Sequence, residues 1–143
     1  MIIVRILIRN MRLLFLFIIL ACLASCGGSP VSKKLALSDS LVITFNIPDT
    51  DSVINLVSTT DKKAIRKLAG FVAGKKKEQG KCGYDGNLVF YYKGAVWVPV
   101  VFKYSNAGCR QFLFDMDNKV MSTDMSDEAV NFLKSLAEGK NWY

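Results

Sequence analysis

The side chains that most enzymes use at neutral pH are poorly represented in this 143-residue sequence. It contains no histidine, which excludes Ser-His and Cys-His nucleophile systems, histidine metal sites and the most common general base. Asp115-Met116-Asp117-Asn118 begins like a calcium loop, but Lys119 and Val120 stand where a further oxygen ligand and a glycine are needed. We interpret it as a hairpin turn, and we predict no catalytic residue, metal site or cofactor.

A pair of carboxylates is the one catalytic arrangement that the residue types leave open. Glycoside hydrolysis needs two suitably placed Asp or Glu side chains, and the fold rather than a motif sets their separation. A cleft that brought together several of Asp85, Asp115 and Asp117 would support an unrecognised hydrolase. Since no spacing favours such a pair, we expect a protein that is not an enzyme.

The N-terminal region has the pattern of an export signal. Arg5, Arg9 and Arg12 supply positive charge, residues 13–24 form an unbroken apolar run, and small residues follow. As a helix, this run would extend about 18 Å, whereas a hydrocarbon core is roughly 30 Å thick. The length favours a cleaved signal, and an uncleaved anchor over residues 2–24 is the alternative.

The end of the apolar run, Leu23-Ala24-Ser25-Cys26, resembles the lipobox of bacterial lipoproteins. The resemblance implies that Cys26 carries a diacylglyceryl thioether and becomes the new N-terminus after residues 1–25 are removed. Several acyl chains would then hold the protein to a membrane more firmly than one chain can. Gly27, in place of Asp after the cysteine, is similar to the pattern sent on to an outer membrane, on its periplasmic face or its surface.

The remaining cysteines agree with export. With residues 1–25 removed and Cys26 lipidated, Cys82 and Cys109 are the thiols left, and an exported compartment would oxidise them to one disulfide. On the chain-entropy model, closing a loop of this length contributes on the order of 3 to 4 kcal/mol. A redox-active pair is the alternative, but the C-x-x-C spacing is missing, so we predict a structural disulfide.

Basic residues cluster in and after a predicted helix. Removing residues 1–25 lowers the formal net charge from +7 to +4, because they hold three arginines and no acidic residue. The cluster is either an ordinary solvated face or a contact for anionic lipid, lipopolysaccharide or peptidoglycan, and export argues against nucleic acid. Its members are Lys62, Lys63, Arg66, Lys67, Lys75, Lys76, Lys77 and Lys81.

Alternating apolar residues predict an antiparallel meander. One strand is expected at 41–47, while 53–57 is ambiguous between a strand and the approach to a helix. Further strands are expected at 88–92, 95–104, 109–116 and from 119 through 123. The turns between them predict that Tyr92 lies opposite Ala95, Tyr104 opposite Cys109, and Met116 opposite Lys119.

These registers sort the side chains onto two faces. The face expected to support the helices collects Leu88, Phe90, Trp97, Val101, Phe112, Phe114, Met116 and Met121. The other face collects Val89, Tyr91, Val96, Val98, Val100 and Phe102, with Gln111 and Leu113. This second face is too apolar to be exposed to solvent, so either the N-terminal segment covers it or it binds a partner. Pro99 suggests a sheet edge or a bulge.

Two helices complete the predicted fold. Ser58-Thr59-Thr60-Asp61 fits a capping box for a helix that ends before Gly74, and Ser126 can cap a second helix over 127–138. We therefore predict an α+β fold, with an antiparallel meander of about four to five strands and two helices mainly on one face.

The chain divides into three predicted segments. Residues 1–25 are the signal, 26–34 a lipid-anchored tether, and 35–143 one ectodomain, with Met1 and Met11 both possible starts. We expect a noncatalytic, lipid-anchored envelope protein that binds a partner through its apolar sheet face. The alternatives are a structural protein that contacts polyanions through the basic cluster and, less favoured, a hydrolase.

Overall fold

The computed structural model describes residues 28–140 and Trp142, so the predictions for residues 1–27, Cys26 among them, lie outside the described residues. The described part is an α+β fold, as predicted, but it contains six strands and three helices instead of four to five and two. The elements are α1 (Pro30–Ala36), β1 (Ser40–Asn46), β2 (Val53–Thr59), α2 (Lys62–Val72), β3 (Gly86–Tyr92), β4 (Ala95–Lys103), β5 (Gln111–Met116), β6 (Lys119–Asp124) and α3 (Asp127–Ala137).

All six strands form one antiparallel sheet with the order β2-β1-β3-β4-β5-β6. The ambiguous stretch at 53–57 belongs to β2, a strand at the sheet edge. Two tight turns define the meander: Lys93 and Gly94 have φ of 51° and 76°, and Asp117 and Asn118 have φ of 55° and 60°. Positive φ at both central residues matches the twist of flanking strands, so these turns fix the local register.

The predicted registers hold beside these two turns and fail elsewhere. Tyr92 pairs with Ala95 and Met116 with Lys119, as predicted. The third prediction is wrong, because Lys103 pairs with Gln111 and a short 3₁₀ turn, Ala107–Cys109, occupies the connection. A loop with an odd number of residues replaces the even-numbered loop on which that prediction depended.

A β-bulge in β4 changes which side chains face the core. Tyr91 pairs with Val96 but Phe90 pairs with Val98, so Trp97 is left without a partner on β3. An inserted residue shifts the alternation by one, which moves every later side chain of the strand to the opposite face. Pro99 lies two residues beyond the bulge, as its missing N–H suggested.

The hydrophobic core lies between one face of the sheet and the helices. Its central row runs across four strands through Ile43, Leu88, Val100 and Phe114, all buried. Each helix adds apolar residues to the same core, and Trp97 and Met121 pack against it. The helical contributions are Leu35 from α1, Ile65, Leu68, Ala69 and Val72 from α2, and Ala129, Val130, Leu133 and Leu136 from α3.

Helix α1 shortens the predicted tether. The Ser29 hydroxyl accepts the N–H of Ser32, and Pro30 occupies the first turn, where its missing N–H costs nothing. Leu35 is buried, and Lys34 pairs with Asp117 at 2.8 Å. Pro30 to Lys34, which we assigned to the tether, therefore belong to the folded domain.

The caps of the two longer helices differ in how well they were predicted. Asp61 caps α2 by accepting the Ala64 N–H at 2.9 Å, so the predicted box beginning at Ser58 is wrong because Ser58 lies in β2. Ser126 caps α3 as predicted. Gly139 ends α3 with a φ of 77°, a left-handed conformation that suits glycine.

The predicted disulfide between Cys82 and Cys109 is confirmed, with Cα atoms 5.6 Å apart. It joins the segment before β3 to the turn after β4. This segment, residues 74–85, leaves α2, runs along β6 and reaches β3 on the other side of the sheet. The disulfide therefore fastens a long connection to the body of the domain.

Gly86 is required by the packing of two phenylalanines. Phe45 and Phe102 both pair with it from the neighbouring strands, and their rings meet edge to face with centroids 5.8 Å apart. A Cβ at position 86 would collide with the Thr44 carbonyl and the Phe102 ring. Because Gly86 has no side chain, the two rings can pack over its backbone.

We expect two Gly→Ala variants to change stability in opposite directions. Gly86→Ala should lower the free energy of unfolding by about 1 to 3 kcal/mol because it overpacks the core. Gly70→Ala, within α2 and with nothing within 4 Å of an added Cβ, should raise it by up to about 1 kcal/mol. Urea unfolding followed by tryptophan fluorescence measures both, and equal effects would contradict this account of Gly86.

Candidate functional site

The predicted partner face does not exist as we assigned it. Val98, Val100 and Phe102 are buried in the core with 2%, 0% and 1% of their surface exposed. The bulge at Trp97 explains the error, because it places these residues on the helix side of the sheet. Val89, Tyr91 and Val96 do lie on the opposite side, where no helix of the described part packs.

This opposite side, which we call the open face, is an apolar surface that crosses the sheet. One row runs from Leu56 through Thr44, Asn87 and Val101 to Leu113, each paired with the next across neighbouring strands. Leu56 is 57% and Val101 40% exposed. With strands about 4.8 Å apart, a row over five strands spans roughly 19 Å. The residues that make the open face apolar are Val42, Leu56, Val89, Tyr91, Val96, Pro99, Val101, Leu113 and Val120.

Five residues of the open face were not assigned to the partner face by the sequence prediction, namely Val42, Leu56, Pro99, Val101 and Val120. Leu56 lies in the stretch at 53–57, where apolar residues occur on both sides and no alternation distinguishes the faces. Val101 was assigned to the helix side because the bulge was not foreseen. Pro99 was the only nearby signal that the alternation of β4 is interrupted.

The segment 74–85 covers one end of the open face. The Gln111 side chain donates to the Gly80 carbonyl at 3.2 Å and accepts its N–H at 3.4 Å, which buries Gln111. The Cys82–Cys109 disulfide fixes the segment beside these bonds. Beyond this end, Val96, Pro99 and Val101 remain exposed.

A buried ion pair lies beneath the covered end. The Lys103 Nζ is 3.1 Å from Asp85 Oδ1 and 3.1 Å from Asp49 Oδ1, and Lys103 and Asp85 are almost completely buried. Asp85 also accepts the backbone N–H groups of Tyr104 and Ser105 at 2.7 Å, and the Ser105 hydroxyl at 2.9 Å. The pair joins the β1–β2 turn, the start of β3 and the end of β4.

Both members of this pair are held in their charged forms. Burial alone would raise the pKa of Asp85, but the hydrogen bonds from Tyr104, Ser105 and Lys103 outweigh burial and lower it. Burial alone would lower the pKa of Lys103, but the bonds and charges of Asp85 and Asp49 raise it. The polar side-chain atoms of Asp85 and Lys103 all bond to groups within the fold, so this pair links three parts of the chain.

The three carboxylates considered for hydrolysis do not converge. Asp85 is buried at the Tyr104 end of the sheet, and Asp115 is exposed on β5. Asp117 lies in the β5–β6 turn, at the far end of β5, and pairs with Lys34. Asp85 and Asp117 therefore lie at opposite ends of the sheet, and the three carboxylates do not share one cleft.

The basic cluster is divided between bound and solvated side chains. Lys62 donates to the Ser38 carbonyl at 2.7 Å, and the Lys67 ammonium lies 4.2 Å from the centre of the Phe132 ring. Lys77 pairs with Asp124 at 3.3 Å. The other members, Lys63, Arg66, Lys75, Lys76 and Lys81, are exposed.

A cavity of about 360 Å³ lies between α2 and the start of α3. Phe71, Lys75, Asp124 and Ser126 contribute to its lining. The Ser126 hydroxyl is committed to the helix cap, and the Asp124 carboxylate is paired with Lys77. This arrangement lacks the nucleophile and base of a covalent mechanism.

Among residues 28–140, no group of three or more Asp, Glu or Cys side chains could hold a metal ion. No helix in the same range is long and apolar enough to cross a membrane. Comparison of the chain with protein-family models, curated proteins and solved structures found no match.

We expect Asp85→Asn to destabilise the protein by up to about 3 to 5 kcal/mol at pH 7, because it removes the buried partner of the Lys103 ammonium and leaves only the exposed Asp49. The lowered pKa of Asp85 means that this contribution is present above the unfolded pKa near 3.9 and is lost as pH falls through the folded pKa. The difference from the unsubstituted protein should therefore shrink as the pH is lowered from 6 towards 2.

Asp115→Asn is the matched control, because the Asp115 side chain is exposed and the change is the same. It should alter the free energy of unfolding by less than about 0.5 kcal/mol. Urea unfolding at a series of pH values measures both variants. A loss for Asp85→Asn no larger than that of the control would show that the buried pair does not stabilise the domain.

Proposed function

We propose that this protein is a noncatalytic, lipid-anchored cell-envelope protein that binds another protein through the open face of its sheet. The observation that carries the proposal is the apolar surface of the open face, in which Leu56 is 57% and Val101 40% exposed. Contiguous exposed apolar patches commonly mark interaction sites, whereas single exposed apolar residues are ordinary on a protein surface.

The shape and chemistry of the open face suit a protein partner. The surface is a sheet face rather than a deep cleft, whereas small-molecule sites are concave and enclose most of their ligand. Valine and leucine provide apolar contact area, and Tyr91 adds a hydroxyl at the margin. Thr44 and Asn87 supply polar groups within the row that can hydrogen-bond across an interface.

Covering part of the face with the segment 74–85 gives the remaining surface a defined boundary. The Gln111 and Gly80 bonds and the disulfide hold that segment in place. A partner therefore meets a preformed surface next to a fixed rim, and it does not have to order a loop when it binds.

The lipid-anchor part of the proposal rests on the sequence before residue 28. The run of apolar residues at 13–24, the preceding arginines and Leu23-Ala24-Ser25-Cys26 all support it. The Cys82–Cys109 disulfide is in keeping with an oxidising compartment. With α1 beginning at Pro30, an anchor on Cys26 would hold the domain close to the membrane.

Cys26→Ser should abolish acylation and retain the leader, because the thioether sulfur is replaced by an oxygen. Metabolic labelling of the full chain with an alkyne-bearing fatty acid, followed by fractionation of the cells, measures this. Cys22→Ser is the matched control and should label normally, since Cys22 lies within the expected signal. Label retained in Cys26→Ser, or lost in Cys22→Ser, would refute the assignment of the lipidation site.

A photo-crosslinking amino acid at position 101 of the full chain should yield a discrete adduct with one envelope protein in cells. The same amino acid at position 134, exposed on α3, should not yield this adduct. Val96→Lys places a charge on the open face and should weaken the adduct formed from position 101. An adduct that forms equally from both positions, or that is indifferent to Val96→Lys, would contradict binding through the open face.

Polyanion binding through the basic cluster ranks second. One turn of α2 does present Lys63 and Arg66 to solvent, and the helix contains no acidic residue. However, Lys62, Lys67 and Lys77 already have intramolecular partners. The charges left for a ligand are therefore fewer and more dispersed than the sequence suggested.

A further inference from the structure

The two edges of the sheet differ in how far other segments of the chain cover their backbone groups. The edge of β6 is covered by the segment that follows α2: Lys76 bridges to Thr123, and the Lys77 N–H donates to the Ser122 carbonyl at 2.9 Å. The Asp124 N–H donates in turn to the Lys75 carbonyl at 2.7 Å. These bonds use backbone groups that would otherwise be open to another strand.

The edge of β2 has no comparable cover within the described residues. Its sequence, Val-Ile-Asn-Leu-Val-Ser-Thr, contains no charged residue and no proline, which are two of the features that block edge pairing. A third such feature, a bulge, occurs at Ile54, so the regular part of the edge is residues 55–59. Val53, Ile54 and Leu56 are 57%, 63% and 57% exposed. An uncharged and apolar strand with an open edge is a template for a further strand.

We propose that a second copy of this chain pairs antiparallel with β2, with the two Leu56 residues facing each other at a two-fold axis. Two six-stranded sheets would then join into one continuous sheet. Such an interface is isologous, because the same strand is used on both sides and the assembly closes at a dimer. The proposal goes beyond binding through the open face and does not depend on it.

The absence of charge in β2 favours a second copy over other occupants. In the proposed register, Leu56 faces Leu56 and Asn55 faces Val57, within the regular part of the strand. A two-fold axis brings like next to like, so any charge near the axis would repel its own copy, and here every cross-strand pair is neutral. Without residues 1–25 the chain keeps a formal net charge of +4, and this excess of cations disfavours contact between copies elsewhere on the surface.

The charges that flank β2 are engaged within the chain and lie outside the proposed strand pair. Asp51, in the turn before β2, accepts the Tyr84 hydroxyl at 2.7 Å. Lys62, just after β2, donates to the Ser38 carbonyl and lies 3.7 Å from Asp39. Asp61 accepts the Ala64 N–H and caps α2. The preference for a second copy therefore rests on the neutral strand itself.

Pairing has one identifiable cost. The Leu56 N–H donates to Oδ1 of Asn55 at 2.8 Å, and an incoming strand would replace this local bond. The exchange trades one hydrogen bond for another, so its net cost is small. Burial of Val53, Ile54 and Leu56, together with the ladder bonds of the new strand pair, would favour the dimer.

A cysteine crosslink tests the proposal on the full chain in cells. Leu56→Cys, treated with a short bis-maleimide, should give a covalent dimer whose linked peptides both contain position 56. Val120→Cys is the matched control, because Val120 is 62% exposed on the opposite edge strand, and it should give little dimer. A non-reducing gel should show that the Cys82–Cys109 disulfide forms in both variants, which reports folding.

Co-purification of two differently tagged copies provides a second measurement. Leu56→Lys places two ammonium groups at the axis and should abolish co-purification, while Val120→Lys should leave it unchanged. Equal crosslinking from positions 56 and 120, or a crosslink from 56 only to a different protein, would overturn the proposal. So would co-purification that survives Leu56→Lys. The crosslink from position 101 tests the open face separately, because Val101 lies on a central strand away from β2.

Discussion

The register between β3 and β4 is the constraint on which the rest of this structure depends. Phe90 paired with Val98, and Leu88 paired with Val100, bring four apolar side chains onto the helix side of the sheet. The bulge at Trp97 makes this pairing compatible with the tight turn at Lys93 and Gly94. Neighbouring residues of a strand point to opposite faces, so one inserted residue decides which alternate side chains of β4 enter the core. The content of the open face follows from the same choice.

Local signals in the sequence were sufficient for the parts of the fold that depend on few residues. Turns with positive φ at Lys93-Gly94 and Asp117-Asn118 set their registers, and α3 combines an N-cap serine, acidic residues in its first turn and a terminal glycine. The disulfide followed from a count of cysteines and from the inferred compartment. Each of these features is decided within a few residues of the chain or by elimination, so tertiary context does not alter them.

Other parts could not be predicted, because they depend on tertiary packing. A seven-residue helix with one buried residue, Leu35, has too little amphipathic pattern to be recognised, so α1 was taken for a tether. In β2 three apolar residues, Val53, Ile54 and Leu56, are exposed while the polar Asn55 is half-buried, which obscures the usual alternation. The candidate surface was located only in part because Leu56 belongs to that strand and Val101 follows the bulge.

Four of the five strand pairings join strands that follow one another in sequence, and β1 with β3 is the exception. The domain is therefore a hairpin and a four-stranded meander joined along a single seam. The Lys103 contacts to Asp49 and Asp85 lie at one end of that seam and link its two sides. If the domain opens partially, we expect the sheet to separate between β1 and β3. That separation would release β1 and β2 as a unit and leave the other four strands paired.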